Sequence, residues 1–448
     1  MEPGPKRQKS TLTLHVSLPS GRSATVQAGT MGDLKVAAQQ VLGQPFLRLA
    51  GPNGRLLDAA ESLQEAGLQD GDSISAVALQ PKLAATWRAF AFWCVGGDRL
   101  VAWGKSSSGG DISAVQDQLR NVQQVHGTSA AFAAILADGS VVTWGSSESG
   151  GDSAAVQDRL RNVQQIHATH NSFAAILADG SVVTWGNPSC CNAEGRDLPK
   201  NVRQIHSTQG ACAAILANGT VVTWGNSDFG GDSTAVQDQL RNVQQVHGAS
   251  MAFAAVLADG SVVSWGDPES GGDSTAVQDQ LRNVRQVHAT WYAFAAIVAD
   301  GSVVTWGSSE FGGDSTAVQD QLRNVQQVHA TRMAFAAILA DGSVVTWGNS
   351  ESGGDSTAVQ DQLRNVRQVH STWFAFAAIL ADGSVVTWGS SEFGGDSTAV
   401  QDQLRNVQQV HATRMAFAAI LADGSVVTWG QSKSGGDSTG VLDAIRYV

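Results

Sequence analysis

The spacing of apolar residues divides the chain into two regimes. In the first eighty residues the pattern is mixed. TLTLHVSL at 11–18 alternates apolar and polar positions, the period of a half-buried strand. PSGRS at 19–23 has turn chemistry and ATVQA at 24–28 forms a second short run, so the pair predicts a hairpin. Thr30 has an N-capping side chain, and Leu34, Val41 and Leu42 supply apolar anchors for a helix over 31–42. FLRLA at 46–50 and SISAVAL at 73–79 predict two further strands.

Beyond residue 80 the pattern becomes a repeat. Trp-Gly recurs at Trp103, Trp144, Trp185, Trp224, Trp265, Trp306, Trp347, Trp388 and Trp429, at intervals of 41 residues with a single 39. A period of this length signals a propeller or a solenoid, and the units lack helical periodicity. The unit RNVQQVHATRMAFAAILADGSVVTWG at 323–348 predicts three short strands: VQQVHA, then AFAAILA with Phe335, Ala337 and Leu339 on one face, then SVVTW. Asp341-Gly342 predicts a two-residue hairpin turn, and Asn218-Gly219 replaces it in one unit. The Gly-rich loop after each Trp-Gly predicts either an irregular outer strand or a helical turn. A sheet of three strands cannot bury its own faces, whereas radial stacking buries them and places the recurrent Trp and Phe rings between blades.

Eight complete units begin near residues 120, 161, 200, 241, 282, 323, 364 and 405. A ninth lies in LAATWRAFAFWCVGGDRLVAWG at 83–104, with one residue inserted near Gly96-Gly97 and its first strand reduced to KLAAT. The expected class is mainly β: a tail at 1–10, a small α+β domain at 11–80, and a propeller of eight or nine short blades at 81–448, the first copy (81–104) incomplete.

Charge sharpens the division. The chain carries 28 Lys/Arg and 40 Asp/Glu, a net −12. The first eighty residues hold seven of each, so the repeat region carries the whole excess. An acidic surface argues against nucleic acid as a partner. No apolar run reaches membrane-spanning length, which argues against a membrane partner. Four cysteines are too few for a disulfide scaffold of this size, and the N-terminus has no apolar stretch of the signal-peptide kind. The expectation is a cytoplasmic or nuclear protein, with PKRQK either a weak nuclear-import signal or, the preferred reading, a disordered, solvated tail.

Candidate chemistry is sparse. His126, His167, His206, His247, His288, His329, His370 and His411 recur in register on the first strand and predict a ring of imidazoles, either a metal or anion site or a set of hydrogen bonds to neighbouring blades. The bond reading is preferred, because metal coordination needs distances of about 2 Å that a wide ring does not offer. Cys190-Cys191 and Cys212 lack zinc-ligand spacing. Similar blades give similar environments, whereas a catalytic centre needs unlike groups to converge once. No enzyme activity, cofactor or metal is expected.

The informative variation lies between the first and second strands. The frame there is constant, but the central pair is Trp87-Arg88, Ser129-Ala130, His170-Asn171, Gln209-Gly210, Ser250-Met251, Trp291-Tyr292, Arg332-Met333, Trp373-Phe374 and Arg414-Met415. All nine turns fall on one rim of the ring. Trp, Tyr, Arg and Met are residues of interaction hot spots. These rings either face a partner or pack on the next turn. A second variable spot, in the Trp-Gly loop, is Phe229, Phe311 and Phe393 where other units have Ser.

Two resemblances follow from these motifs. The order hairpin, helix, strands over 11–79, with PFLRLAGPNGRLLDAAESLQEAGLQDGDSISAVAL, resembles the β-grasp of the ubiquitin family. It implies a docking patch near Leu47, Arg48 and Val77, with Arg48 where ubiquitin has an isoleucine, and partners in the ubiquitin pathway. The frame DGxVxxWG resembles repeats of the regulator of chromosome condensation family, whose propellers close at seven blades, and the short unit is also similar to the propeller of a bacterial β-lactamase-inhibitor protein. Together they imply an interaction scaffold with a protein partner, the recognition component of a ubiquitin ligase acting in trans, or an exchange factor for a small GTPase.

Overall fold

The computed structural model describes residues 11–58, 61–188 and 198–445. The tail at 1–10 and Cys190-Cys191 lie outside the described residues. The predicted N-terminal hairpin forms from β1 (Leu12–Ser17) and β2 (Ser23–Ala28). Helix α1 (Met31–Leu42) follows, with Thr30 Oγ1 accepting from the Asp33 amide at 3.1 Å and Gly43 ending it at φ 62°. Leu34 and Leu42 are buried as expected, but Val41 is 39 % exposed. Met31 and Ala38 take the core places instead, because 31, 34, 38 and 42 are the positions that share one helix face. With β3 (Leu47–Ala50) and β4 (Ser73–Ala78) the sheet runs β2-β1-β4-β3, its central pair parallel, which is the β-grasp order.

The rest of the described chain forms nine three-stranded antiparallel sheets. Blade one is β5 (Gln80–Ala85), β6 (Ala89–Val95) and β7 (Leu100–Gly104). Blade seven is typical of the rest, with strands Val325–Ala330, Ala334–Leu339 and Val344–Gly348. The hairpin between its second and third strands differs from the expected two-residue turn. The Leu339 amide donates to the Ser343 carbonyl and the Gly342 amide to the Leu339 carbonyl, giving a three-residue loop in which Gly342 alone has positive φ, 79°. Asp341 acts through its side chain instead: Oδ1 accepts from the Ser343 amide at 2.9 Å and from its hydroxyl at 2.6 Å. The Trp-Gly loop resolves to two short 3-10 turns, here Ser350–Ser352 and Thr357–Val359, with no outer strand.

Blades stack large against small. Phe335, Val345 and Trp347 of blade seven meet Ala293, Ala295, Ile297 and Val303 of blade six. The Phe335 and Trp347 rings stack at 5.1 Å, and Trp347 Nε1 donates to the Gly312 carbonyl in the loop leaving blade six, at 3.0 Å. The same geometry closes the circle. Trp103 of blade one donates to the Gly435 carbonyl in the loop leaving blade nine, at 3.1 Å, and Phe90, Phe92 and Trp103 pack on Ala416, Ala418 and Ile420. The ring is therefore closed, with nine blades.

One junction is built differently. From blade two to blade eight the hairpin glycine of each blade rests on an asparagine of the next, as Gly342 rests on Asn365, and these asparagines hold left-handed backbone (Asn365, φ 56°). At blade nine the neighbours of Gly424 are Pro45 and Phe46 of the β-grasp domain. The Phe46 ring lies 5.4 Å from Phe92 of blade one. Arg48 donates to the Gly96 carbonyl and pairs with Asp98 at 2.8 Å. The residue inserted near Gly96-Gly97 thus shapes the hairpin that receives Arg48.

Candidate binding site at the channel mouth

The first strand of each blade is the innermost. In every blade but the fifth, which has Ala249, a Thr follows it and is fixed within its turn: Thr331 Oγ1 accepts from the Ala334 amide at 3.0 Å and donates to the Ser352 carbonyl at 3.0 Å. This leaves the variable pair in a set position, and its two residues diverge. The first joins its counterparts around the ring. Its amide donates to the carbonyl of the next blade's first residue: Trp87 to Ser129, Ser129 to His170, Gln209 to Ser250, Ser250 to Trp291, Trp291 to Arg332, Arg332 to Trp373, Trp373 to Arg414, and Arg414 back to Trp87, all at 2.8–3.1 Å. A backbone ladder of eight such bonds, running from Gln209 round to His170, therefore frames the mouth of the central channel.

The side chains of these first residues line a cavity of about 490 Å³. One arc of it is aromatic and cationic. The Arg332 guanidinium lies 3.3 Å from the Trp291 ring centroid and 5.0 Å from that of Trp373. Arg414 lies 3.0 Å from Trp373 and 4.6 Å from Trp87. Trp373 touches Trp291 and Trp87 edge to face, each at 5.0 Å, and Trp87 meets His170 at 4.3 Å. The opposite arc is Ser129, Gln209 and Ser250. Burial, and then the nearby Arg332 and Arg88, push Arg414 down to about 10; burial also lowers Arg332. Cation–π contact offsets part of that desolvation.

The second residues turn toward the Trp-Gly loop of their own repeat. Tyr292 meets Phe311 edge to face at 4.6 Å, and Phe374 meets Phe393 the same way at 4.6 Å. Gly210 leaves room for Phe229, whose ring a Cβ there would approach to 2.9 Å. Where the loop has Ser, the second residue is Arg88, Ala130, Met251, Met333 or Met415. The two variable spots therefore form one packing pair, while the first residues face the channel. Trp87, Trp291, Arg332, Trp373 and Arg414 come together; Arg88, Tyr292, Met333, Phe374 and Met415 are half-buried beside them and do not line the cavity.

Deeper in the channel the histidines form the expected succession. Ring centroids of His167, His206, His247 and His288 are 6.2–6.5 Å apart. Their bonds differ from the expected ones between blades: Nε2 of His126, His247, His329, His370 and His411 meets the glutamine side chain two residues earlier on the same strand, at 3.2–3.4 Å. The reason is strand periodicity, which points i and i+2 the same way. Burial pushes most of these imidazoles down to about 4, and His247 to about 3. Blade one has Ala84 at this position, paired with Ala91 as His126 is with Ala133. Among the described residues no cluster of three or more His, Cys, Asp or Glu is placed to hold a metal, and no helix is long and apolar enough to cross a membrane.

The patch implied by the ubiquitin resemblance is largely covered. Leu47 is buried at 2 % exposure and Arg48 is bound to blade one, while Val77 is 51 % exposed. Cys212 is buried at the position that Phe occupies in other blades, and Cys94 is free and buried, its thiol pushed up to about 12.

No family model and no curated protein matches the chain. Among solved structures it is similar to human WBSCR16 at 16 % identity, covering 53 % of this chain and 79 % of that one at a TM-score of 0.37. It is similar to Prp20p of Saccharomyces cerevisiae, a structure described with its binding to Gsp1p and histones, at 16 % identity, 59 % and 81 % coverage and a TM-score of 0.38. The computationally designed Ika8 protein matches at 13 % identity, 69 % and 96 % coverage and a TM-score of 0.37. At these values the likenesses carry nothing about activity.

Proposed function

We propose that this chain is a non-enzymatic interaction protein whose channel mouth grips a protein partner, and whose ubiquitin-like domain links that partner to ubiquitin or proteasome machinery. The arc Trp291, Arg332, Trp373, Arg414 and Trp87 supports the first half. These are the residue types that dominate binding energy at interfaces, they are only half-buried, and they converge on one cavity while Ser129, His170, Gln209 and Ser250 at the matching positions opposite are polar. The second half rests on the β-grasp order alone. Because Leu47 is buried in the domain's own core and Arg48 is engaged with blade one, the exposed apolar residues left for a ubiquitin-pathway protein are Val77 on the outer side of the sheet and Val36 and Val41 on the helix. The test is affinity capture with the full chain. Trp291→Ala, Trp373→Ala and Arg332→Ala together should abolish capture of the partner that the wild type retains; unchanged capture would sink the reading.

A further inference from the structure

The side chains of the mouth are all donors or neutral. None of the residues lining the cavity is Asp or Glu, in a protein with 40 acidic residues and a net charge of −12. Two lining groups are also buried without a hydrogen-bond partner: Arg332 Nε, which can only donate, and the Ser250 hydroxyl, in a residue only 4 % exposed. They flank Trp291 on successive steps of the backbone ladder. Arg414 stands one blade beyond Trp373, held against that ring at 3.0 Å with no carboxylate pair. Buried donors left unpaired are costly, and each asks for an explanation, a bound water, ion or ligand among them.

We propose that the mouth is a carboxylate site, which takes an Asp or Glu side chain from an extended segment of the partner. This rests on the interaction reading above and names its chemistry. A guanidinium lying flat on an indole keeps its in-plane N–H groups free, and a planar carboxylate accepts them in pairs. The apolar Trp walls lower the local dielectric and strengthen that pairing. The surrounding negative charge repels polyanions, so a segment with isolated carboxylates suits the mouth better than a phosphate-rich ligand.

Isothermal titration calorimetry of the full chain tests this. The probe is the peptide acetyl-(Gly-Glu)₃-amide, against the isosteric acetyl-(Gly-Gln)₃-amide, a Gly-Ala peptide with a free C-terminus, and inorganic phosphate. The glutamate peptide should bind saturably and weaken with added salt, and the other three should not. Arg332→Gln and Arg414→Gln should each weaken it about tenfold. Arg55→Gln, which lies on the β-grasp domain beside Glu61, should leave it unchanged. No heat from the glutamate peptide, equal binding of the glutamine peptide, binding only of phosphate or of the free terminus, or unchanged binding in both mouth variants would each overturn the proposal. The comparison of peptides uses wild-type protein alone, so a variant that fails to fold does not spoil it. If the Trp substitutions abolish partner capture while the glutamate peptide does not bind, the interaction reading stands and the carboxylate site falls. If the peptide binds while capture is unaltered, the carboxylate site stands and the interaction reading falls.

Discussion

Acid should weaken this protein through its channel. The perturbation is a fall in pH from about 7 to about 5. In the unfolded chain each histidine titrates near its ordinary 6.5, whereas His126, His206, His288, His329, His370 and His411 are held near 4 and His247 near 3. Between those values the unfolded state binds protons that the folded state refuses. The stability contributed by the neutral ring is thus full above pH 6.5 and drains away as pH falls toward 4. At pH 5 the linkage amounts to about 2 kcal/mol per imidazole, and about 1 kcal/mol after allowing for channel water. Summed over these seven histidines this is on the order of 7 kcal/mol, comparable with the whole stability of an ordinary domain. The assay is the urea midpoint followed by circular dichroism at a series of pH values, for the wild type and for a variant carrying His206→Gln, His247→Gln and His288→Gln. The wild-type midpoint should fall steeply below pH 6.5, and the variant should lose roughly two fifths of that slope. A midpoint that is flat from neutral to about pH 5 would refute the reasoning, as would equal slopes in the two proteins.

Three further outcomes follow from the packing. Gly353→Ala adds a Cβ at φ 90° that meets the Phe376 ring at 2.6 Å; it should lower stability by about 3 kcal/mol, read from the urea midpoint. Tyr292→Ala and Phe311→Ala should show a coupling of about 1 kcal/mol in a double-mutant cycle, and zero coupling would separate the two variable spots again. Phe46→Ala should cost about 3–5 kcal/mol and lower hydrogen-exchange protection at Gly424 and in β6, since Phe46 touches both sides of that junction.

The strands, the helix and the repeat were legible because each carries a period: two for the strands, 41 for the blades. The blade count was not, since closure depends on whether blade one, with its reduced first strand, still offers Phe90 and Trp103 to blade nine. The hairpin turn was misjudged because Asp-Gly suits two loops, and only the following serine, bonded to Asp341, selects the longer one. The recurrent Asn in Arg-Asn-Val is the sequence mark of the junction between blades. Asparagine tolerates left-handed backbone better than most residues, and here it seats a blade under its neighbour's hairpin from blade two's hairpin to blade eight's. At the mouth, the sequence separated the variable pair from its frame. It left open which member faces the channel, because that depends on how the fixed Thr turns the chain.

The ladder around the mouth uses only peptide groups. Its bonds therefore take no group from the side chains that stand there, and serine, glutamine, arginine and tryptophan all donate in it. Nine positions can be rewritten while the frame that holds them stays the same. Each blade then contributes one letter to a recognition surface, and duplication followed by substitution at a single codon would change what the mouth selects without renegotiating the fold.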